Sequence, residues 1–383
     1  MSGPLGESYM LKTYKFRLYP TEEQAQIMHN TCFLCSILYN RGLAMRKEKW
    51  ENEKLSLSAY DQIKGLPAEK EETPFLNGVY SQILQDVYRR LDKSFQNFFR
   101  RLKEGEEPGY PKFKPARKYD SFTYPQSGFS IEKEGRGGRL KLSKIGTVKI
   151  KMHRPVCGKI KTLTIRRRAG RWYACFVCEI EAEPLPKTGN STGIDFGINS
   201  LVATSDGELI PSPRNLLQSE AKLKRLQRAV SRKKKGSRRR KKAVLALQKQ
   251  HEKVANQRRD FAFKVARKLL EQNDLIAIED LQVTNMVGNR RLAKSIHDAA
   301  WNKLATILEH KAEEFGRTIV KVNPQNTSQD CSGCCEKVPK TLSARQHNCP
   351  HCGLSLDRDV NAALNILHRG LDEAFGDREA EAS

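Results

Sequence analysis

Apolar and polar residues change their spacing several times along this chain, and each change predicts an element. Lys12-Thr13-Tyr14-Lys15-Phe16-Arg17-Leu18-Tyr19 alternates polar or basic with apolar positions, which predicts a half-buried strand with a basic outer face. Pro20-Thr21-Glu22-Glu23 then starts a helix with Thr21 near its cap, carrying Ile27, Leu34, Leu38 and Tyr39. A second helix is predicted over 79–102, with Ile83, Val87, Leu91, Phe95 and Phe98 or Phe99 on one stripe. Ser81, Gln82, Gln85, Arg89 and Lys93 fall beside or opposite that stripe. Amide and guanidinium groups of this kind can read base edges in a major groove; the plainer reading is a solvated face.

Pro and Gly punctuate 106–115, and the period then shortens to two. Strands are predicted at 129–131, 139–142, 147–152, 160–168 and 172–180, enough for a small barrel or sandwich. The strand at Lys12 joins it, which makes the intervening helices an insert. Lys141, Lys149, Lys151, Arg166 and Arg168 fall on outward positions that suit a phosphate backbone. A linker at 183–190 opens the next region, where Thr192-Gly193-Ile194-Asp195-Phe196-Gly197-Ile198-Asn199 sets one acid among apolar residues. An ionised carboxylate in such a layer is costly to desolvate without a cation. A hairpin (201–204 and 209–210), two long helices over 219–272 joined at Gly236-Ser237, a strand (274–280), a helix (296–315) and a strand (317–322) complete an α/β order compatible with an RNase H-like sheet.

Charge sharpens this picture. The formal net charge is +25, which points to a polyanionic partner, nucleic acid in preference to membrane. No stretch approaches the roughly 18 to 20 apolar residues of a membrane span, so a cytoplasmic, nucleoid-associated protein is expected. Thirteen Lys or Arg occupy the 21 positions from Lys222 to Lys242. Arg232, Lys233, Lys234, Arg238, Arg239 and Arg240 lie at the centre of that run, where mutual repulsion calls for a polyanion. The ten cysteines in a chain read as intracellular suggest metal or core positions rather than disulfides. Cys331-x2-Cys334 and Cys349-x2-Cys352 have the spacing of a structural zinc ribbon, with Cys335 as a possible competitor. Cys32, Cys35, Cys175 and Cys178 read as core residues, the last two on opposite faces of one strand.

Two more acids have surroundings like those of Asp195. Glu279 ends the run Leu275-Ile276-Ala277-Ile278, and Asp359 lies in Leu356-Asp357-Arg358-Asp359-Val360-Asn361-Ala362-Ala363. Brought together, the three would hold divalent metal for phosphodiester hydrolysis with no nucleophilic side chain.

The order of these features resembles the TnpB family of insertion-sequence proteins: Gly-Ile-Asp-Phe-Gly, Ala-Ile-Glu-Asp-Leu, a four-cysteine ribbon, then Asp-Arg-Asp-Val-Asn-Ala-Ala-Leu-Asn-Ile. The opening Tyr-Lys-Phe-Arg-Leu-Tyr-Pro-Thr and Pro-Lys-Phe-Lys at 111–114 match as well. The resemblance implies a RuvC-like, RNase H-like nuclease interrupted by a zinc ribbon, behind a wedge-like β-barrel that is itself interrupted by a helical recognition domain. The boundaries expected are 1–20 and 111–186 for the barrel, 21–110 for the helical insert, 187–324 and 356–370 for the nuclease, 325–355 for the ribbon and 371–383 for a disordered, acid-rich tail. It implies Asp195, Glu279 and Asp359 as catalytic ligands of two Mg²⁺ ions, in preference to Asp357 and Asp280. Residues two apart on a helix point about 200° from each other, so Asp357 and Asp359 cannot both face one site. It also implies a guide RNA from the transposon end, a double-stranded DNA target cut beside a short adjacent motif, one monomer per guide, and a prokaryotic host. Alternatives are a guided repressor or RNA-binding accessory that does not cut, and a strand-transfer transposase.

Overall fold

The computed structural model describes residues 9–134, 137–198, 200–281, 301–341 and 344–380. The chain divides into two compact units, Tyr9–Glu181 and Ala182–Ser383, parting just ahead of the Pro-punctuated stretch 183–190.

In the first unit β1 (Tyr9–Tyr19) is followed by α1 (Glu22–Glu53), α2 (Ala59–Glu72) and α3 (Ser81–Lys103). Six strands follow: β2 (Ser121–Tyr124), β3 (Phe129–Glu134), β4 (Gly137–Leu142), β5 (Gly146–Lys151), β6 (Lys159–Arg168) and β7 (Arg171–Glu181). They make one seven-stranded sheet in the order β2-β6-β7-β1-β5-β4-β3. The opening strand is therefore central. It pairs with β7 from Tyr9↔Glu181 to Leu18↔Trp172 and with β5 around Leu18↔Ile150, and its alternation buries Tyr14, Phe16 and Leu18. α1 starts at a capping box between Thr21 and Gln24. Met28, Cys32, Cys35, Leu38 and Tyr39 from α1, with Ile83, Val87 and Leu91 from α3, share one core with Phe16, Leu140, Ile150 and Phe176 of the sheet. Cys178 is buried and Cys175 half-buried on alternate faces of β7.

Three features of this unit differ from the sequence pattern. α2 forms despite Gly65 and Pro67, because a Ser58–Asp61 capping box starts it and buried Leu66 and Gln62 anchor it. β2 has only four residues, too few to show a period. The sheet is open, where the pattern suggested a barrel or sandwich: β2 and β3 are its two ends. Tyr80, ahead of α3, stacks on Tyr124 of β2 at 5.8 Å and hydrogen bonds Ser127 in the connection to β3, so the start of α3 is tied to the β2 end of the sheet.

The second unit is built on a five-stranded sheet in the order β10-β9-β8-β11-β12. Its strands are β8 (Ser191–Asp195), β9 (Ser200–Thr204), β10 (Leu209–Pro211), β11 (Leu275–Glu279) and β12 (Thr318–Val322). β8, β11 and β12 are parallel; β9 and β10 form an antiparallel arm. α4 (Asn215–Ser231) and α5 (Arg238–Gln272) form a hairpin between β10 and β11, turning at Gly236 with Ser237 as the N-cap of α5. α5 and α6 (Trp301–Phe315) cover one face of the sheet, where Val265, Leu269, Leu304 and Leu308 meet Ile194, Ile276 and Ile278. Residues 296–300 of the expected helix lie outside the described part. The other face carries α7 (Arg358–Ala380), whose Ile366 packs on Ala277 and Val322. Two covered faces explain why Leu275 to Ile278 is apolar without alternation.

α7 lies unusually close to the sheet. A Cβ at Gly193 would fall 2.0 Å from Ala363 O and 2.6 Å from Leu367 N, and one at Gly370 would fall 2.4 Å from Ala277 Cβ. Neither position tolerates a side chain at this spacing. The tail is a correction to the sequence reading, since α7 runs on through Ala380 where disorder is expected from 371. Adding turns to a helix already anchored at Ala362, Ala363 and Ile366 avoids the cost of nucleation, even for an acid-rich segment. Residues 381–383 lie outside the described part. Among the described residues no helix is long and apolar enough to cross a membrane.

Candidate active site and metal centre

The three acids come together on the α7 side of the second sheet. Asp195 and Glu279 end β8 and β11, adjacent parallel strands whose preceding residues, Ile194 and Ile278, are paired in register. Those two isoleucines face α5 and α6, so pleating turns the acids that follow toward α7. Asp359 stands in the first turn of α7 and is buried. The carboxyl ends of parallel strands are where α/β sheets hold their ligands.

Electrostatics ties the three into one site. Burial first, and then the charges of Glu279 and Asp359, push the Asp195 carboxyl up to about 8, while Arg358 partly opposes the shift. Burial raises the Glu279 carboxyl too, against a hydrogen bond from Thr327 and the charge of Arg369. Arg358 reaches Asp359 Oδ1 with Nε at 3.1 Å and Nη2 at 2.9 Å. Three half-buried to buried carboxylates, one of them held protonated to about 8 by burial and then by its acidic neighbours, form a hard oxygen donor set that suits Mg²⁺.

The neighbouring acids have other employment. Asp357 accepts from the backbone N–H of Asp359 at 2.8 Å and of Val360 at 3.4 Å, which makes it the cap of α7. Asp280 lines a cavity of about 240 Å³ beside Glu279, with Phe196, Trp301 and Lys321. Trp301 Nε1 donates to Gly197 O at 3.0 Å, tying α6 to the turn after Asp195.

Between β12 and α7 the four expected thiols gather. The sulfurs of Cys331, Cys334, Cys349 and Cys352 all lie within 4.8 Å of one another, with 3.6 Å between Cys331 and Cys352 and between Cys334 and Cys349. Each pair sits in a tight turn, closed by Cys335 N–H to Cys331 O and by Gly353 N–H to Cys349 O. β13 (Gln346–Asn348) and β14 (Ser355–Asp357) bracket the second turn as a hairpin. Cys335 is exposed and stands outside the cluster, its backbone at φ +63. Four sulfurs with no fifth position fit a closed, structural Zn²⁺ site.

The residues expected to touch nucleic acid fall in two places. Arg232, Lys234, Arg238 and Arg239 are exposed, and Lys233 and Arg240 half-exposed, around the tip of the α4–α5 hairpin. On α3, Arg89 is exposed and Gln85 half-buried. Ser81 and Gln82 have partners within the unit: Ser81 accepts from Lys70 at 2.6 Å, and Gln82 accepts from Ser127.

Several residues of the acid site escape sequence reading. Thr327 donates to Glu279, and Arg358 to Asp359. Asn361, Asn365 and Arg369 recur every fourth residue along α7 and bind the segment 323–332. That four-residue recurrence of Asn, Asn and Arg along one face of α7 is the available signal.

Comparison with known proteins supplies the family. Residues 175–290 match the OrfB_IS605 family model, described as a probable transposase. Residues 301–366 match the Cas12f1-like TNB domain. Residues 10–54 match a model described as a helix-turn-helix domain, although here they form β1 and α1. The chain is 37% identical over 369 residues to a Streptomyces pristinaespiralis protein named "Putative RNA-guided DNA endonuclease", covering 94% of this chain and 89% of the relative. It is 31% identical over 379 residues to "Putative RNA-guided DNA endonuclease InsQ" of Escherichia coli K12, covering 94% and 92%. Among solved structures, a Cas12f1 complex with sgRNA and target DNA aligns with TM-score 0.64 at 14% identity, covering 94% of this chain and 98% of that one. The mini RNA-guided endonuclease CRISPR-Cas_phi3 aligns at 0.57 and 9% identity, over 94% and 92%. At such identities the likeness is one of fold.

Proposed function

Because the chain belongs to the TnpB family of RNA-guided DNA endonucleases, we propose that it cuts double-stranded DNA, directed by an RNA from the end of its transposon, beside a short adjacent DNA motif. The observation that carries this reading is the convergence of Asp195, Glu279 and Asp359, with the Asp195 carboxyl raised by burial and then by the charge of the other two. The second unit is then a RuvC-like nuclease of RNase H type, interrupted by the ribbon. Asp195, Glu279 and Asp359 hold two Mg²⁺ ions, and Cys331, Cys334, Cys349 and Cys352 hold Zn²⁺. When bound, magnesium supplies a Lewis acid and a water acidified enough to attack a phosphodiester.

The chain's own groups do the rest. The three carboxylates concentrate negative charge where the cations must sit, and burial excludes competing water. Arg358 limits the repulsion before metal arrives. The cationic tip of the α4–α5 hairpin grips phosphates, and the exposed Arg89 face of α3 is available for base edges. Sequence choice passes to base pairing with the guide, so the protein itself needs a basic channel and one motif-reading surface. Such a protein works where the DNA is, in the cytoplasm at the nucleoid of a prokaryotic host. Purification from that host with bound nucleic acid, sequencing of the RNA, and incubation with matching DNA tests the reading. A defined RNA with a variable end and Mg²⁺-dependent double-strand cuts are expected. Guided binding without cuts would favour a repressor, and joined strands would favour a transposase.

A further inference from the structure

Both ends of the zinc ribbon reach the acid site, each through one side chain. On the entry side, the segment from Asn323 to Ser332 leads out of β12 into the first cysteine turn. Thr327 in that segment donates its hydroxyl to Glu279 Oε1. The segment is itself clamped by one face of α7. Asn361 Nδ2 donates to Asp330 O at 2.8 Å, and its Oδ1 accepts from Ser332 N–H at 3.0 Å. Asn365 Nδ2 donates to Thr327 O and Asp330 O, both at 2.8 Å. Arg369 binds Asn323 O, Gln325 O and the Asp330 carboxylate. Asn361 and Asn365 are buried, and a buried amide left without partners is penalised by its full desolvation cost. The segment therefore has one favoured position against α7.

On the exit side, Arg358 N–H donates to Arg345 O at 2.7 Å and Arg358 Nη1 to Ala344 O at 3.1 Å, both carbonyls of the ribbon. The same guanidinium puts Nε and Nη2 on Asp359 Oδ1. Asp359 Oδ2 is turned toward Gly197, where a Cβ would meet it at 3.6 Å, two residues beyond Asp195. One oxygen of Asp359 is thus held by Arg358, which the ribbon's carbonyls brace, and the other faces the turn that follows the first acid. Glu279 is likewise held at Oε1.

We propose that Thr327 and Arg358 are positioning residues through which the zinc ribbon sets Glu279 and Asp359 for divalent-metal binding, so that loss of zinc weakens the acid site. The inference rests on the reading of the three acids as the metal site. A donor to one oxygen of a ligating carboxylate fixes the direction of the other, and such outer partners typically govern metal affinity by about 10- to 100-fold. The ribbon thus places one hydroxyl on Glu279 and two carbonyls on Arg358, whose guanidinium holds Asp359, so two of the three acids depend on its position.

Mn²⁺ binding to the zinc-loaded full chain, followed by electron paramagnetic resonance, tests this without depending on cleavage. Thr327→Val and Arg358→Gln are each expected to weaken Mn²⁺ binding by about tenfold or more, with zinc content and melting temperature near wild type. Thr327→Ser, which keeps the hydroxyl, is expected to bind within about threefold of wild type. Cys349→Ser, which releases zinc, is expected to weaken Mn²⁺ at least as much as Thr327→Val. Wild-type Mn²⁺ affinity in both Thr327→Val and Arg358→Gln overturns the proposal. Wild-type affinity in Asp195→Ala overturns instead the reading of the acids on which it rests.

Discussion

The thiol cluster fits a cation and the acid cluster is proposed to hold one, yet they are assembled in different ways. Four sulfurs from a segment of 22 residues come within 4.8 Å of one another through two local turns and a hairpin. The three carboxylates come from two strands and a helix far apart in sequence, and the fold must hold them together against their own repulsion. The thiol site is a local motif; the acid site is a property of the whole α/β unit. It follows that damage to packing should separate the two sites, while damage to the ribbon should reach both.

The sharpest separation is expected from Gly193→Ala. The added Cβ would fall 2.0 Å from a backbone oxygen of α7, so α7 must move off β8 and carry Asp359 away. A cost above about 4 kcal/mol is expected, with cleavage lost. Zinc content should stay near one per chain, because all four thiols lie outside the displaced contact. Loss of zinc as well would show that the ribbon is not a local unit.

Cys349→Ser comes next. Zinc should be released, the ribbon should lose its fixed form, and melting should drop by several degrees, since structural zinc contributes folding energy directly. Unchanged zinc and melting would contradict a structural site.

A smaller effect separates the sites by pH. The Asp195 carboxyl is raised from 3.8 to about 8 in the folded chain, so the native state holds that proton more tightly than the unfolded state. Its stabilising contribution is present below about pH 4 and is lost as pH rises through about 8. With zinc retained and no other divalent metal added, melting temperature should therefore fall between pH 5 and 8, by roughly 2 to 4 °C per kcal/mol lost. Mg²⁺ should restore more of it at pH 8 than at pH 5, and Asp195→Asn should flatten the profile. A wild-type profile as flat as that of Asp195→Asn would contradict a carboxyl raised by burial and by its acidic neighbours.

The same contrast explains what could be read from sequence. The ribbon is legible because its ligands are close in sequence and their spacing is chemistry. Asp195 and Glu279 are legible because acids at the ends of apolar strands stand out, and β1 because eight residues alternate cleanly. Thr327 is not legible: its partner Glu279 lies 48 residues away, and a threonine in a polar loop looks like any other. Arg358 beside Asp359 reads as an ordinary charged pair until both ribbon carbonyls are seen on it. α2 was hidden by Gly65 and Pro67, and β2 by its length. On α3 the polar face is legible, but not that Ser81 and Gln82 are engaged by Lys70 and Ser127.

The most direct test of the central claim, that three distant acids form one cutting site, is cleavage of matched double-stranded DNA by Asp195→Ala purified with its RNA. Cutting is expected to fall by at least about 10³-fold, since a metal ligand is lost, with RNA bound and melting no lower than wild type. Mg²⁺-dependent cutting at the wild-type rate would contradict the account.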